Sequence, residues 1–128
     1  MVARSRAAAA ALAMVAAGVP APVAHAATFY CDADAHAYLG VGSNGYVYTG
    51  VSNGSGMVIT AICSLSSADG DVTPQACSAW YAMLLTQRTA GGKVLPHFDT
   101  THAGNTALTG CADLKPWEHH TPYFIPAQ

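Results

Sequence analysis

The reactive side chains of this chain gather in two short histidine clusters. His97, Asp99 and His102 lie within six residues, and Glu118, His119 and His120 are consecutive. Imidazole and carboxylate are zinc ligands, and a His/Asp pair suits acid–base work. Two residues apart on a strand, His97 and Asp99 would share a face. Adjacent His119 and His120 diverge unless the backbone bends. Neither cluster follows a recognised ligand spacing, so solvated loop histidines are the more economical reading. No metal or other cofactor is expected. The serines offer no supported nucleophile. Asp32/Asp34 and Asp69/Asp71 are paired carboxylates without an EF-hand loop, and they read as turn residues. Asn53-Gly54-Ser55 has the form of a glycosylation sequon and is expected to be unused, simply a turn.

Aromatic side chains are the second resource. Trp80 and Tyr81 sit in a helical pattern and are expected in the core. Tyr46, Tyr48, Trp117, Tyr123 and Phe124 include several that a small domain does not fully bury. Rigid apolar faces with a polar tip suit carbohydrate or protein contacts. Tyr46, Tyr48, Trp117 and Tyr123 are therefore the candidate ligand-binding residues, and no catalytic residue is assigned.

The compartment decides the cysteine chemistry. Arg4 and Arg6 precede an apolar run from Ala7 to Val19, and Ala24-His25-Ala26 is a small-x-small cut site. This is the order of a secretory signal peptide. The run is shorter than the roughly 20 residues that span a bilayer. Residues 1–26 are thus expected to be removed, leaving residues 27–128 as one secreted or periplasmic domain. Cys31, Cys63, Cys77 and Cys111 all lie in that domain and contain no C-x-x-C pair. An even count in a small exported chain reads as two disulfides rather than zinc, which leaves no thiolate for catalysis. Three connectivities exist. Cys63–Cys77 with Cys31–Cys111 is favoured, because the first closes the loop from a strand into a helix.

The elements that must position these groups follow from the pattern. Ala37 to Val41, Tyr46 to Val51 and Met57 to Leu65 read as three strands, joined by the turns Gly42-Ser43-Asn44-Gly45 and Ser52 to Gly56. Met57, Ile59, Ala61, Cys63 and Leu65 alternate onto one face, while Val58 and Ile62 make the other face partly apolar, as in a central strand. Thr73-Pro74 reads as an N-cap with proline at the first helical position. Cys77, Trp80, Tyr81, Leu84 and Arg88 continue at helical spacing, and Gly91-Gly92 stops the helix. Lys93 to Asp99 returns as a strand confined to an edge or bulge by Pro96, and Tyr123 to Ile125 closes the fold. The predicted class is α+β, mainly β: a small five-stranded barrel of the oligonucleotide/oligosaccharide-binding (OB) type, or an antiparallel sheet, with one helix between strands 3 and 4.

Beyond residue 26, Arg88, Lys93 and Lys115 stand against seven Asp and Glu. So few cations provide no footprint for nucleic acid or for an anionic membrane surface after cleavage. With 52% apolar and 9% charged residues, the chain has the material for a core.

The stretch Val58-Ile59-Thr60-Ala61-Ile62-Cys63, the helix Cys77-Ser78-Ala79-Trp80-Tyr81-Ala82-Met83-Leu84-Leu85 and the turn Gly92-Lys93-Val94 resemble a group of small secreted bacterial proteins of OB-like architecture. Cys111, Trp117 and Tyr123-Phe124 suit the same pattern. More distantly, the order is similar to the pentameric binding subunits of bacterial toxins, which are small exported disulfide-containing barrels. No sugar-binding motif of those subunits matches here, so no site is carried over. The cysteine pair after an apolar strand also resembles the actinobacterial subtilisin inhibitors, without their reactive loop. The expected function is an exported, non-enzymatic module that binds a glycan or protein ligand, compatible with a homo-oligomer. A secreted hydrolase inhibitor using residues 66–74 or 100–116 is the alternative, and a small metal-dependent enzyme ranks third.

Overall fold

The structure is a computed structural model that describes residues 27–126; the expected signal peptide and the last two residues lie outside them. Five strands and one long helix appear in the order β1 (Thr28–Tyr30), β2 (Ala33–Val41), β3 (Tyr46–Ser52), β4 (Met57–Ser64), α1 (Pro74–Ala90) and β5 (His97–Asp99). Two 3₁₀ turns follow, at Ala103–Asn105 and Cys111–Asp113. The class is α+β and mainly β, as expected. The strands form two antiparallel sheets, β1-β5 and β2-β3-β4, and not a closed barrel. The two sheets are linked through residues 31–33. Cys31 and Ala33 donate their N–H groups to Pro96 and Val94 carbonyls at 3.1 and 2.9 Å, and Ala33 also pairs with Val51 of β3.

Three details depart from the pattern read in the sequence. β1 is an extra strand, so the helix lies between the fourth and fifth strands. Tyr123 to Ile125 contributes a single bridge, His97 to Phe124, in place of a strand. β2 begins at Ala33, ahead of Ala37, with an interruption inside it. Asp34 Oδ1 accepts the N–H groups of His36 and Ala37 at 2.9 and 3.1 Å. That local bond competes with the ladder, and pairing resumes only at Leu39↔Thr49.

β4 carries a bulge for a different reason. Cys63 pairs with Val47 but Ala61 pairs with Tyr48, which leaves Ile62 without an opposite residue. The extra residue resets the alternation, so Cys63 joins Thr60 and Val58 on the face that receives the helix. There it bonds Cys77, with 5.6 Å between α-carbons, and Cys31 bonds Cys111 across 5.7 Å. Both pairs are those favoured from the sequence.

The helix follows its signals closely. Thr73 Oγ1 accepts the Ala76 N–H at 3.2 Å, Pro74 opens the first turn, and the Gly91 N–H closes on the Gln87 carbonyl at 2.9 Å. Cys77 and Leu84 are buried beneath it, and Trp80 and Tyr81 are half-buried against the same core. Arg88 Nη1 donates to the Leu39 carbonyl at 2.8 Å and ties the last turn to β2. Val47, Val51, Ile62, Leu84, Val94, Phe98 and Leu114 fill the centre. Among the described residues, no helix is long and apolar enough to cross a membrane.

Candidate functional site

With α1 on one face of the β2-β3-β4 sheet, the other face is left to the aromatic residues. Along β3, Val47, Thr49 and Val51 are fully buried while Tyr46 and Tyr48 are half-exposed, the alternation a one-sided sheet requires. Past the open edge of β4 runs the segment 117–120. It is not a regular strand, yet it behaves as one: Trp117 N–H donates to Ile59 O at 2.6 Å, Ala61 N–H to Glu118 O at 2.9 Å and His120 N–H to Ala61 O at 2.9 Å. Thr60 Oγ1 adds a bond to Glu118 O at 2.8 Å.

This segment delivers Trp117 to the exposed face. Its indole lies 6.0 Å from the rings of both Tyr38 and Tyr48, edge-on to the first and tilted to the second. Tyr38 reaches the group through the interruption in β2, where its carbonyl accepts from Thr49 Oγ1 at 3.1 Å. Trp117 is 61% exposed and adopts φ 66°, the only positive φ among the described non-glycine residues. A bulky side chain in that region costs about 1–3 kcal/mol, a cost that persists mainly where surrounding structure enforces it, often at binding sites.

The three rings, with Ser43 and Asn44 of the β2–β3 turn, border a cavity of about 310 Å³ that no Asp, Glu, Lys or Arg lines. Gly42 makes room for it. A β-carbon there would stand 3.0 Å from Tyr48 Cε2 and 2.6 Å from Asn44 Oδ1, so any side chain would displace one of them. Two other cavities of about 330 and 350 Å³ are carboxylate-lined or mixed in charge. Size does not choose among the three; the lining does.

The histidines regroup around a residue outside both sequence clusters. Asp69 sits in a tight turn closed by reciprocal backbone bonds with Val72 at 2.9 and 3.1 Å. Gly70 follows at φ 57°, where a β-carbon would stand 3.0 Å from the His102 ring. Asp69 Oδ1 lies 3.3 Å from His102 Nε2, and Oδ2 lies 2.8 Å from His119 Nε2 and accepts from the Thr121 hydroxyl. His102 Nδ1 accepts the Gly104 N–H at 3.2 Å, which places the His102 proton on Nε2, facing Asp69. Burial holds the His119 pKa below its ordinary value; Asp69 opposes the shift, and His102 and His120 reinforce it. This is a clasp joining three loops, in which Thr121 is not relayed to Asp69 through His119. A relay uses opposite ring nitrogens of one histidine, whereas Asp69 and Thr121 both meet Nε2 of His119. Among the described residues, no three His, Cys, Asp or Glu side chains are grouped to hold a metal.

The remaining sequence candidates disperse. His97 lies among the rings of Tyr30, Tyr123 and Phe124, at 5.5, 6.2 and 5.7 Å. Asp99 accepts the Thr101 N–H at 2.7 Å, which lowers its pKa. His120 is buried, with Nδ1 3.1 Å from Gly104 O and Nε2 3.4 Å from Glu118 Oε2. His119 and His120 diverge, as adjacent residues on an extended segment do. Of the four candidate ligand-binding residues, Tyr48 and Trp117 share the cleft, Tyr46 stands beside it with its ring 4.5 Å from His119, and Tyr123 lies apart with His97.

Sequence reasoning misses Tyr38, which carries an aromatic-on-a-strand signal. It reads Asp69 as a turn carboxylate, and the turn is there, but nothing local marks its two histidine partners. One further pattern escapes it: Gly50-Val51-Ser52-Asn53-Gly54 has the G-x-S-x-G spacing of a nucleophile elbow. Here Ser52 ends β3 and leads into a hairpin instead of a helix, and its Oγ accepts the Gly54 N–H at 3.4 Å. The spacing without the strand-to-helix turn does not make an elbow.

Compared with known proteins, the chain matches no family model, no curated protein and no solved structure.

Proposed function

We propose that this protein is an exported, non-enzymatic binding module whose ligand is an uncharged glycan held in the cleft of Tyr38, Tyr48 and Trp117. The exposed Trp117, kept in a left-handed backbone beside two tyrosines, is the observation that carries this reading. Aromatic faces cover the apolar faces of a sugar ring, while hydroxyl and amide groups from Tyr, Ser43 and Asn44 meet its hydroxyls. A lining without ionic groups favours a neutral ligand, and about 310 Å³ sits at the small end of ligand pockets. Two disulfides support an oxidising compartment, hence export. An OB-like relationship belongs to the same reading. It is supported by the three-strand meander followed by a helix, and by the bridge from Ala33 of β2 to Val94 ahead of β5.

The test is a screen of neutral glycans on the disulfide-bonded protein, followed by titration of wild type, Tyr48→Ala and Trp117→Gly. Glycine accepts φ 66° without strain, so Trp117→Gly should fold, melt within a few degrees of wild type and lose binding at least tenfold. Absence of binding to every neutral glycan, or binding indifferent to Trp117, overturns the proposal.

A further inference from the structure

Resting on the glycan reading, we infer that the cleft is one half of a two-ring groove and that its ligand is an uncharged oligosaccharide whose second sugar sits on Tyr46 and His119. Two aromatic rungs cross this sheet face. Tyr48 pairs with Trp117 at 6.0 Å between ring centres, and Tyr46 pairs with His119 at 4.5 Å. Within each partner segment the rungs are two residues apart, a step of about 6.5 Å along an extended chain. The segment 117–120 runs parallel to β4, which is itself antiparallel to β3. The step from 117 to 119 therefore runs with the step from 48 to 46, and the two rungs keep the same order. Only β4 lies between them, and the residues it pairs with Tyr48 and Tyr46, Ala61 and Ser64, are small.

The second rung differs from the first in having a hydrogen-bonding ring. His119 Nε2 lies 2.8 Å from Asp69 Oδ2, and a carboxylate oxygen only accepts, so Nε2 carries the proton. Nδ1 of the neutral ring is then an acceptor for a hydroxyl of the second sugar. Burial favours that neutral ring. The charged groups around it are Asp69, with His102 beyond the carboxylate, and the neighbouring His120 and Glu118. Asp69 fixes the ring, so His119 is held for binding and does not turn to follow solvent.

The experiment compares neutral mono-, di- and trisaccharides of the gluco, galacto and manno series, titrated by tryptophan fluorescence against wild type, Tyr46→Ala and His119→Gln. The expected result is that wild type binds the best disaccharide at least tenfold tighter than its monosaccharide, with little further gain for the trisaccharide. Tyr46→Ala and His119→Gln should remove most of that gain and leave monosaccharide affinity within about twofold. Equal affinity of wild type for mono- and disaccharide, or a disaccharide gain that survives both substitutions, overturns the two-ring groove while leaving the parent reading intact. Failure of every saccharide to bind removes the parent reading and this inference together.

Discussion

At the scale of single residues, His119 does two things that pull in opposite directions. Its ring stands edge-to-face with Tyr46, half out of water, while Nε2 is bound by Asp69 and Thr121. Burial outweighs the carboxylate and leaves the native pKa depressed. In the unfolded chain the ring regains a value near 6.5. As pH falls through about 6.5 the unfolded state takes up a proton that the native state resists, so stability is lost toward acid pH and is complete above that value. Melting temperature should decline between about pH 7 and pH 5, before the general titration of carboxylates. His119→Gln should flatten this decline; an equally steep profile in the variant assigns the effect to another group.

At the scale of elements, the fold depends on a segment without a secondary-structure label. Residues 117–120 satisfy the open edge of β4 through Ile59, Ala61 and the buried Thr60 hydroxyl. An unpaired edge strand is an aggregation hazard, and here the same bonds set Trp117 in place. Thr60→Val keeps the shape of the core and removes one bond to Glu118 O. It should cost about 1 kcal/mol and raise amide exchange at Trp117 and His120 more than in α1. Uniform exchange across the molecule would show that the segment does not open by itself. The helix poses the converse case. Trp80 follows the helical pattern yet is only half-buried, so Trp80→Ala should cost about 2 kcal/mol, below the 3–5 kcal/mol of a fully buried aromatic. Thermal melts of the two variants measure both costs.

At the scale of the whole molecule, the two disulfides divide the work. Cys63–Cys77 closes a separation of 14 residues between β4 and α1, and Cys31–Cys111 closes 80 residues from the strand junction to the second 3₁₀ turn. In the chain-entropy account the short loop contributes about 3 kcal/mol and the long loop between 4 and 5, both roughly. Against a usual net stability of about 5–15 kcal/mol, losing the long bridge should be the more severe. Cys31→Ala/Cys111→Ala should melt lower than Cys63→Ala/Cys77→Ala, and full reduction should unfold much of the population. A larger loss from the short bridge would mean that native contacts around Cys77, and not chain entropy, set the stability.

Much of this architecture is legible in local sequence. The helix from Pro74 to Ala90, with Thr73 and Gly91 at its ends, depends on short-range capping and periodicity. The two hairpins depend on turns closed within a few residues. The Cys63–Cys77 pairing follows from the short separation between a strand and the helix after it. The rest required the tertiary structure, because the deciding interactions span long separations. The bulge at Ile62 exists to bring Cys63 under the helix. β1 is a strand only because β5 returns to it, and residues 123–125 meet His97 through one bridge instead of forming a strand. The site shows the same divide. The aromatic and histidine residues announce themselves by type, but which of them meet is set by packing. Asp69 gathers His102 and His119 from distant loops, Tyr38 joins Tyr48 through a local break in β2, and Trp117 arrives on a segment whose partner is β4. Residue type is a local property of the chain; the company a residue keeps depends on where the backbone returns.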